Sequence, residues 1–162
     1  MYNACGVIIM TYEDMKIVAD ETGLIVKEKP LQSSNGRING NKIAIRRDLP
    51  SSVHKKCVLA EELGHYHTSV GRILKQSDTE NQKQELKARE WAYDHQVGLT
   101  GIIDCYKAGC QTISEMAEYL EVTEEFLREA LERYRQKYGI YTSIGHYIIY
   151  FEPTLTVVRM VK

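Results

Sequence analysis

The residues with the most chemistry in this chain lie in one decapeptide, Leu59-Ala60-Glu61-Glu62-Leu63-Gly64-His65-Tyr66-His67-Thr68. On a helix, residues three and four apart share a face. Glu61 and His65 are spaced i,i+4, and Glu62 and His65 are spaced i,i+3. Helices of the HExxH type use this spacing. Two histidines one turn apart bind zinc, and the glutamate beside the first is the general base for a water on the metal. Here Glu61 stands where the first histidine would be, Glu62 keeps the position of the base, and His65 that of the second ligand. A glutamate carboxylate is itself a zinc ligand. The expected chemistry is therefore metal-assisted hydrolysis, with Glu61 and His65 as metal ligands and Glu62 as base. The plain alternative is a solvated pair of glutamates beside an incidental histidine. Against it stands Gly64, which costs a helix interior about 1 kcal/mol relative to alanine and so signals a steric demand. Two carboxylates and an imidazole on one turn also need a cation if they are buried.

A third ligand has to come from another element. Glu85-Leu86-Lys87-Ala88-Arg89-Glu90-Trp91-Ala92 offers Glu85 on one stripe with Ala88 and Ala92, small residues that permit close helix packing. Glu90 followed by Asp94 competes with it, and spacing does not choose between the two. Cys57 shares the Glu61–His65 stripe but lies about 12 Å from His65 along the axis, too far to share an ion. His67 points away from the site on a continuous helix, and His95 sits about 15 Å beyond Glu85. Both are read as structural, and His54 and His146 have no motif around them.

The elements that must position these groups follow from periodicity and turn chemistry. Tyr12–Glu21 reads as a helix stopped by Gly23, with Leu24-Ile25-Val26 as a short strand after it. Gln32 to Gly36 and Asn39-Gly40-Asn41 are turns, and Arg37-Ile38 and Lys42 to Ile45 form a strand pair. A serine at 51 or 52 caps a helix over Val53–Thr68. A loop with Gly71 and Ser77 leads to a helix over Asp78–Val97, which Gly98 and Gly101 end, and Ile102–Ala108 forms a short helical piece closed by Gly109. Ile113–Leu120 and Glu124–Tyr138 pair like a helix-turn-helix, with Gly139 as C-cap. Tyr147–Phe151 and Leu155–Met160 read as a β-hairpin turned near Glu152-Pro153.

The whole chain has 162 residues, 43% apolar and 27% charged, which fits an ordinary globular protein. A net charge of −1 argues against a strongly basic nucleic-acid binder. The cysteines at 5, 57, 105 and 110 contain no CxxC pair, and Cys105 and Cys110 lack the partner pair of a zinc ribbon. They read as free thiols in a reducing compartment. No secretory h-region or membrane-length apolar run is visible, so the expected location is the cytoplasm.

Several of these segments together resemble the ImmA/IrrE metallo-endopeptidases of bacteria, their phages and their mobile elements. Cys57–Thr68 resembles the LAEELGH form of that family's metal helix, and Glu85-x-x-Ala88-x-x-Trp91-Ala92 is similar to its E-x-x-A-x-x-[FW]-A helix. Lys42 to Ile45 looks like its substrate-side strand, and Tyr147 to Pro153 resembles its terminal Y-x-I-x-F-x-P segment. The resemblance implies Glu85 as the third ligand beside His65, Glu62 as general base, and zinc, or manganese or another divalent ion, as cofactor. Glu61 in place of the first histidine is the one departure.

The expected fold is α+β. A zincin-like core over 1–110 carries a helix-turn-helix-like subdomain over 111–140, and a C-terminal β-hairpin over 141–162 packs back on the core. The expected activity is endopeptidase cleavage of a protein substrate, which by the resemblance is a helix-turn-helix repressor of a prophage or mobile element. A non-catalytic interaction protein that keeps the fold without a competent metal site is the alternative. A DNA-binding regulator is disfavoured, because Thr112–Tyr138 carries seven acidic and four basic residues and Glu124 and Glu125 open the would-be recognition helix. No direct nucleic-acid or membrane partner is expected.

Overall fold

The computed structural model describes residues 9–69 and 78–161, without the side chain of Asp78. The expected loop with Gly71 and Ser77 lies outside the described residues. Among the described residues the fold is α+β, with six helices and two three-stranded sheets. The chain divides into two compact units at the Ala92–Tyr93 bond, inside one helix.

The first unit opens with α1 (Tyr12–Glu21), whose Thr11 and Asp14 form a reciprocal capping box. Strands β1 (Ile25–Lys29), β2 (Gly36–Asn39) and β3 (Lys42–Arg46) form a sheet in the order β1-β3-β2. β2 and β3 are an antiparallel hairpin with Asn39 opposite Lys42, and Gly40 supplies the positive φ of 61° that its two-residue loop needs. β3 is parallel to β1. The segment Lys42–Ile45, which by resemblance looks like a substrate-side strand, is therefore the central strand, hydrogen-bonded on both sides. β1 and β2 are the sheet's edge strands.

Helix α2 (Ser52–Thr68) starts at Ser51, whose hydroxyl accepts from the His54 amide. It packs on α1, β2 and β3. Leu24, Ile43, Ile45, Leu59 and Ala60 are each no more than 1% exposed and form the centre of this core. Lys55 of α2 reaches Glu28 of β1 at 2.8 Å, a half-buried ion pair that fixes the helix along the sheet. Helix α3 (Asp78–Gln96) contributes Ala88 and Ala92, both fully buried, to this unit.

The second unit holds α4 (Gly98–Lys107), α5 (Ile113–Leu120) and α6 (Glu124–Tyr138) with the sheet β4 (Tyr141–Ile144), β5 (Tyr147–Tyr150) and β6 (Thr156–Arg159), paired antiparallel in that order. Two expectations are corrected here. Gly101 does not end a helix. It lies inside α4, where a β-carbon would sit 3.1 Å from the Leu120 side chain, so the glycine serves helix packing. The C-terminal hairpin also has a third strand, β4, which follows the α6 C-cap at Gly139 (φ 76°). The helix pair itself begins and ends where the sequence predicts. Thr112 and Glu115 form a capping box, and Thr123 caps α6.

Candidate active site

The site forms within the first unit, where α2 crosses α3. Gly64 makes the crossing possible. A β-carbon there would be driven into the backbone carbonyl of Ala88, which cannot yield as a side chain can. The two helices thus touch backbone to backbone through Gly64 and Ala88, and the glycine's helical cost is the cost of that approach. Glu85 lies three residues before Ala88, one turn along α3, and the crossing delivers its Oε2 to 3.2 Å from the His65 Nε2. Its other oxygen, Oε1, accepts from the Arg89 Nε at 3.1 Å. His67 stacks on Trp91 with ring centroids 4.7 Å apart, which ties the last turn of α2 to α3. α2 is continuous through this point, so His67 takes the structural place that its spacing predicts.

Glu62 approaches β2. A β-carbon on Gly36, the first residue of that strand, would lie 2.5 Å from the Glu62 Oε1 and 2.9 Å from its Cγ. A side chain at 36 would make the Glu62 carboxylate and Val58 shift. The Ile38 amide donates to it. Burial pushes the Glu62 carboxyl up, the charges of Glu61 and Glu85 push it further, and the Ile38 hydrogen bond opposes them, so it titrates at about 7. A carboxyl held near neutrality exists in both protonation states at working pH, which a proton-transfer group requires.

A divalent ion tests the donor set. Two ligands about 2.0–2.1 Å from a tetrahedral ion stand roughly 3.3 Å apart. The His65–Glu85 separation matches that spacing, and imidazole with carboxylate is a usual pair of donors. Glu61 is half-buried and close enough for its charge to raise Glu62. Among the described residues, however, no three His, Cys, Asp or Glu side chains form a group that could hold a metal. Among the described residues His65 and Glu85 are the pair whose spacing fits an ion. Of the two candidates for the third position, Glu85 is the one that meets His65. Cys57 is buried in the core.

Sequence reasoning missed three contributors. Gly36 reads as turn chemistry, and its Asn35-Gly36 context hides a strand residue chosen for close approach. The Ile38 amide carries no side-chain signal at all. Arg89 falls at i,i+4 from Glu85, and this helical ion-pair spacing was available to find it.

No helix among the described residues is long and apolar enough to cross a membrane. The family model described as Peptidase_M78, IrrE N-terminal-like domain, matches residues 19–132, which span the sheet, α2, α3 and the helices up to α6 but not the C-terminal sheet. No curated protein and no solved structure matches the chain. With more than half of its length covered by that match, the chain belongs to the Peptidase_M78 family of IrrE N-terminal-like (ImmA/IrrE) peptidases.

Proposed function

We propose that the chain is a divalent-metal-dependent endopeptidase in which Glu62 moves the proton. The observation that supports this reading most is the near-neutral Glu62 carboxyl, one helical turn from the His65–Glu85 pair. His65 and Glu85 would hold the ion, and Glu61 would supply the further carboxylate on a small shift of its side chain. When bound, such an ion acts as a Lewis acid on the scissile carbonyl and lowers the pKa of water. The chain's own residues do the rest. A Glu62 carboxylate oxygen takes the proton of the attacking water, and the same oxygen returns it to the departing amine. The Ile38 amide holds that carboxylate in place. Arg89 orients Glu85. The free edge of β2 beside Glu62 offers an extended substrate backbone a strand to pair with.

The substrate in this reading is a protein, a helix-turn-helix repressor of a prophage or mobile element, cleaved in the cytoplasm. Co-expression with the repressor encoded beside it, wild type against Glu62→Gln, tests the activity. The variant keeps shape and folding, and its cleavage falls by at least ~100-fold, the usual contribution of a general base. Wild-type cleavage by Glu62→Gln removes Glu62 from its role.

One observation favours a second reading, an interaction protein without a competent site: among the described residues no three donors converge, and Arg89 already engages Glu85. Zinc titration decides between them. The enzyme reading expects one ion per chain, bound more tightly after Glu61→His, which restores the imidazole of the usual zinc set. No binding by either form establishes the interaction reading.

A further inference from the structure

Three helices in this chain end in the same way. After α1, α4 and α5 a residue in the left-handed conformation (Gly23 at φ 82°, Gly109 at φ 82°, Glu121 at φ 52°) reverses the chain. The next amide then bonds back to a carbonyl five residues earlier: Leu24 to Ala19 at 2.9 Å, Cys110 to Cys105 at 3.0 Å, Val122 to Ala117 at 3.0 Å. The left-handed residue's own amide reaches back three residues, Gly23 to Asp20, Gly109 to Tyr106 and Glu121 to Glu118. This is the Schellman motif, and it brings the side chains of the two residues joined by the longer bond together, normally as an apolar contact. Ala19 with Leu24 and Ala117 with Val122 obey that rule, all four buried. At the end of α4 the same two positions are both cysteine.

The hydrogen bond from the Cys110 amide to the Cys105 carbonyl places the two thiols on the same side of the turn, near enough for Cys110 to add to the burial that raises the Cys105 thiol. Each sulfur also faces a consecutive carbonyl of α5, Cys105 Sγ to Met116 O at 3.9 Å and Cys110 Sγ to Glu115 O at 3.8 Å. Both thiols are free. They differ in access, because Cys105 is 1% exposed whereas Cys110 is half-buried at the wall of an open depression of about 560 Å³ that Gln111, Glu118 and Tyr119 also line.

We propose that Cys105 and Cys110 are a reversible modification site, a dithiol that a peroxide converts to an intrachain disulfide across the turn between α4 and α5. The open depression admits the peroxide to Cys110 first. The Cys110 sulfur attacks one peroxide oxygen, the O–O bond breaks, and Cys110 becomes a sulfenic acid as one water leaves. The Cys105 sulfur then attacks the Cys110 sulfur. The S–O bond breaks, the hydroxyl departs with the Cys105 proton as a second water, and the S–S bond forms. Two thiols lose two electrons and the peroxide gains them. Burial pushes the Cys105 thiol up to about 12, so the accessible Cys110 and not Cys105 is the thiol a peroxide meets first.

The test uses the full chain, reduced and freed of reductant, then treated with hydrogen peroxide and alkylated with N-ethylmaleimide. The expected product is a monomer with two thiols protected. Trypsin cuts after Lys107, between the two cysteines, so the disulfide joins two peptides that dithiothreitol separates. Cys110→Ser abolishes the linked species, as does Cys105→Ser, and Cys57→Ser leaves it. Because Cys105 is buried, the half-exposed Cys110 variant carries the result if Cys105→Ser does not fold. Any of three outcomes overturns the proposal: all thiols still alkylated, Cys110 carried to a sulfinic acid without linkage, or a disulfide that uses Cys5 or Cys57.

Discussion

Glu62 and Glu132 are the same side chain in opposite surroundings. Glu62 lies in the first unit against β2, where burial and two further carboxylates raise its carboxyl to about 7. Glu132 lies on α6 in solvent, and hydrogen bonds from Arg135 and Gln136 hold its carboxyl down at about 2. Arg135 is shared in turn with Glu152, at 2.7 Å, and its own affinity for a proton rises. In the second cluster one solvent-exposed guanidinium serves both carboxylates. In the first, the charges of Glu61 and Glu85 act on Glu62, Glu85 meets His65, and Arg89 pairs with Glu85. A carboxyl raised by burial and by neighbouring carboxylates is the feature that separates a site from a surface, and the count of glutamates does not reveal it.

The sharpest way to break this comparison is to take donors away. Glu85→Ala should weaken zinc binding by about 100-fold or more, above the cost of losing a supporting residue, while Glu90→Ala leaves it nearly unchanged. Calorimetric titration of both variants measures this, and the reverse pattern would move the site one helical face over. Next in size is Gly64→Ala. The new methyl group meets the Ala88 carbonyl, and the strain should exceed the gain in helix propensity and cost about 2–3 kcal/mol in urea denaturation. Gly101→Ala is its control in the second unit. There the methyl group meets only the tip of Leu120, and the net change should stay within about 1 kcal/mol.

A smaller effect carries the sign of the comparison. The native chain holds a proton at Glu62 between about pH 4.5 and 7, whereas the unfolded chain has released it. Stability therefore falls as pH rises through that window, and the full cost stands above it. In chelator-treated protein, Glu62→Gln should match the wild type below about pH 4.5 and exceed it by about 1–2 kcal/mol above pH 7, after allowance for solvent screening. A constant difference across pH would mean that the carboxyl is not raised. Glu132→Gln should give the smallest change, and the opposite trend. The wild type's advantage is present above about pH 4.5 and fades as pH falls towards 2. Thermal melts at pH 7 and pH 2.5 compare the two.

The helices were legible wherever the chain marks their ends. Ser51, Thr112, Thr123 and Gly139 are capping residues by type, and α2, α5 and α6 begin or end on them. Gly98 and Gly101 look alike in sequence, yet one turns the backbone at φ 59° and the other packs inside a helix against Leu120. Local pattern does not distinguish a glycine that bends from a glycine that makes room. β4 was missed although Tyr141, Thr142 and Ile144 favour strands, because a four-residue run between Gly139 and Gly145 declares itself only through its pairing with β5. The same division runs through the site. Glu62 and His65 could be read from helical spacing, and Glu85 from its small-residue stripe. The Gly36 clearance and the Ile38 amide come from β2, which only the folded sheet carries to α2.

The Arg89–Glu85 contact also bears on how the protein is handled and stored. Small zinc domains fall apart when stripped because their folding energy is the metal's. Here the core of the first unit is built of Leu24, Ile43, Ile45, Leu59 and Ala60, none of them a donor. A built-in guanidinium already faces the carboxylate that an ion would claim. Chelation should leave an intact protein, so that under the proposed metal-dependent reading ion supply would set the level of activity and not the survival of the molecule.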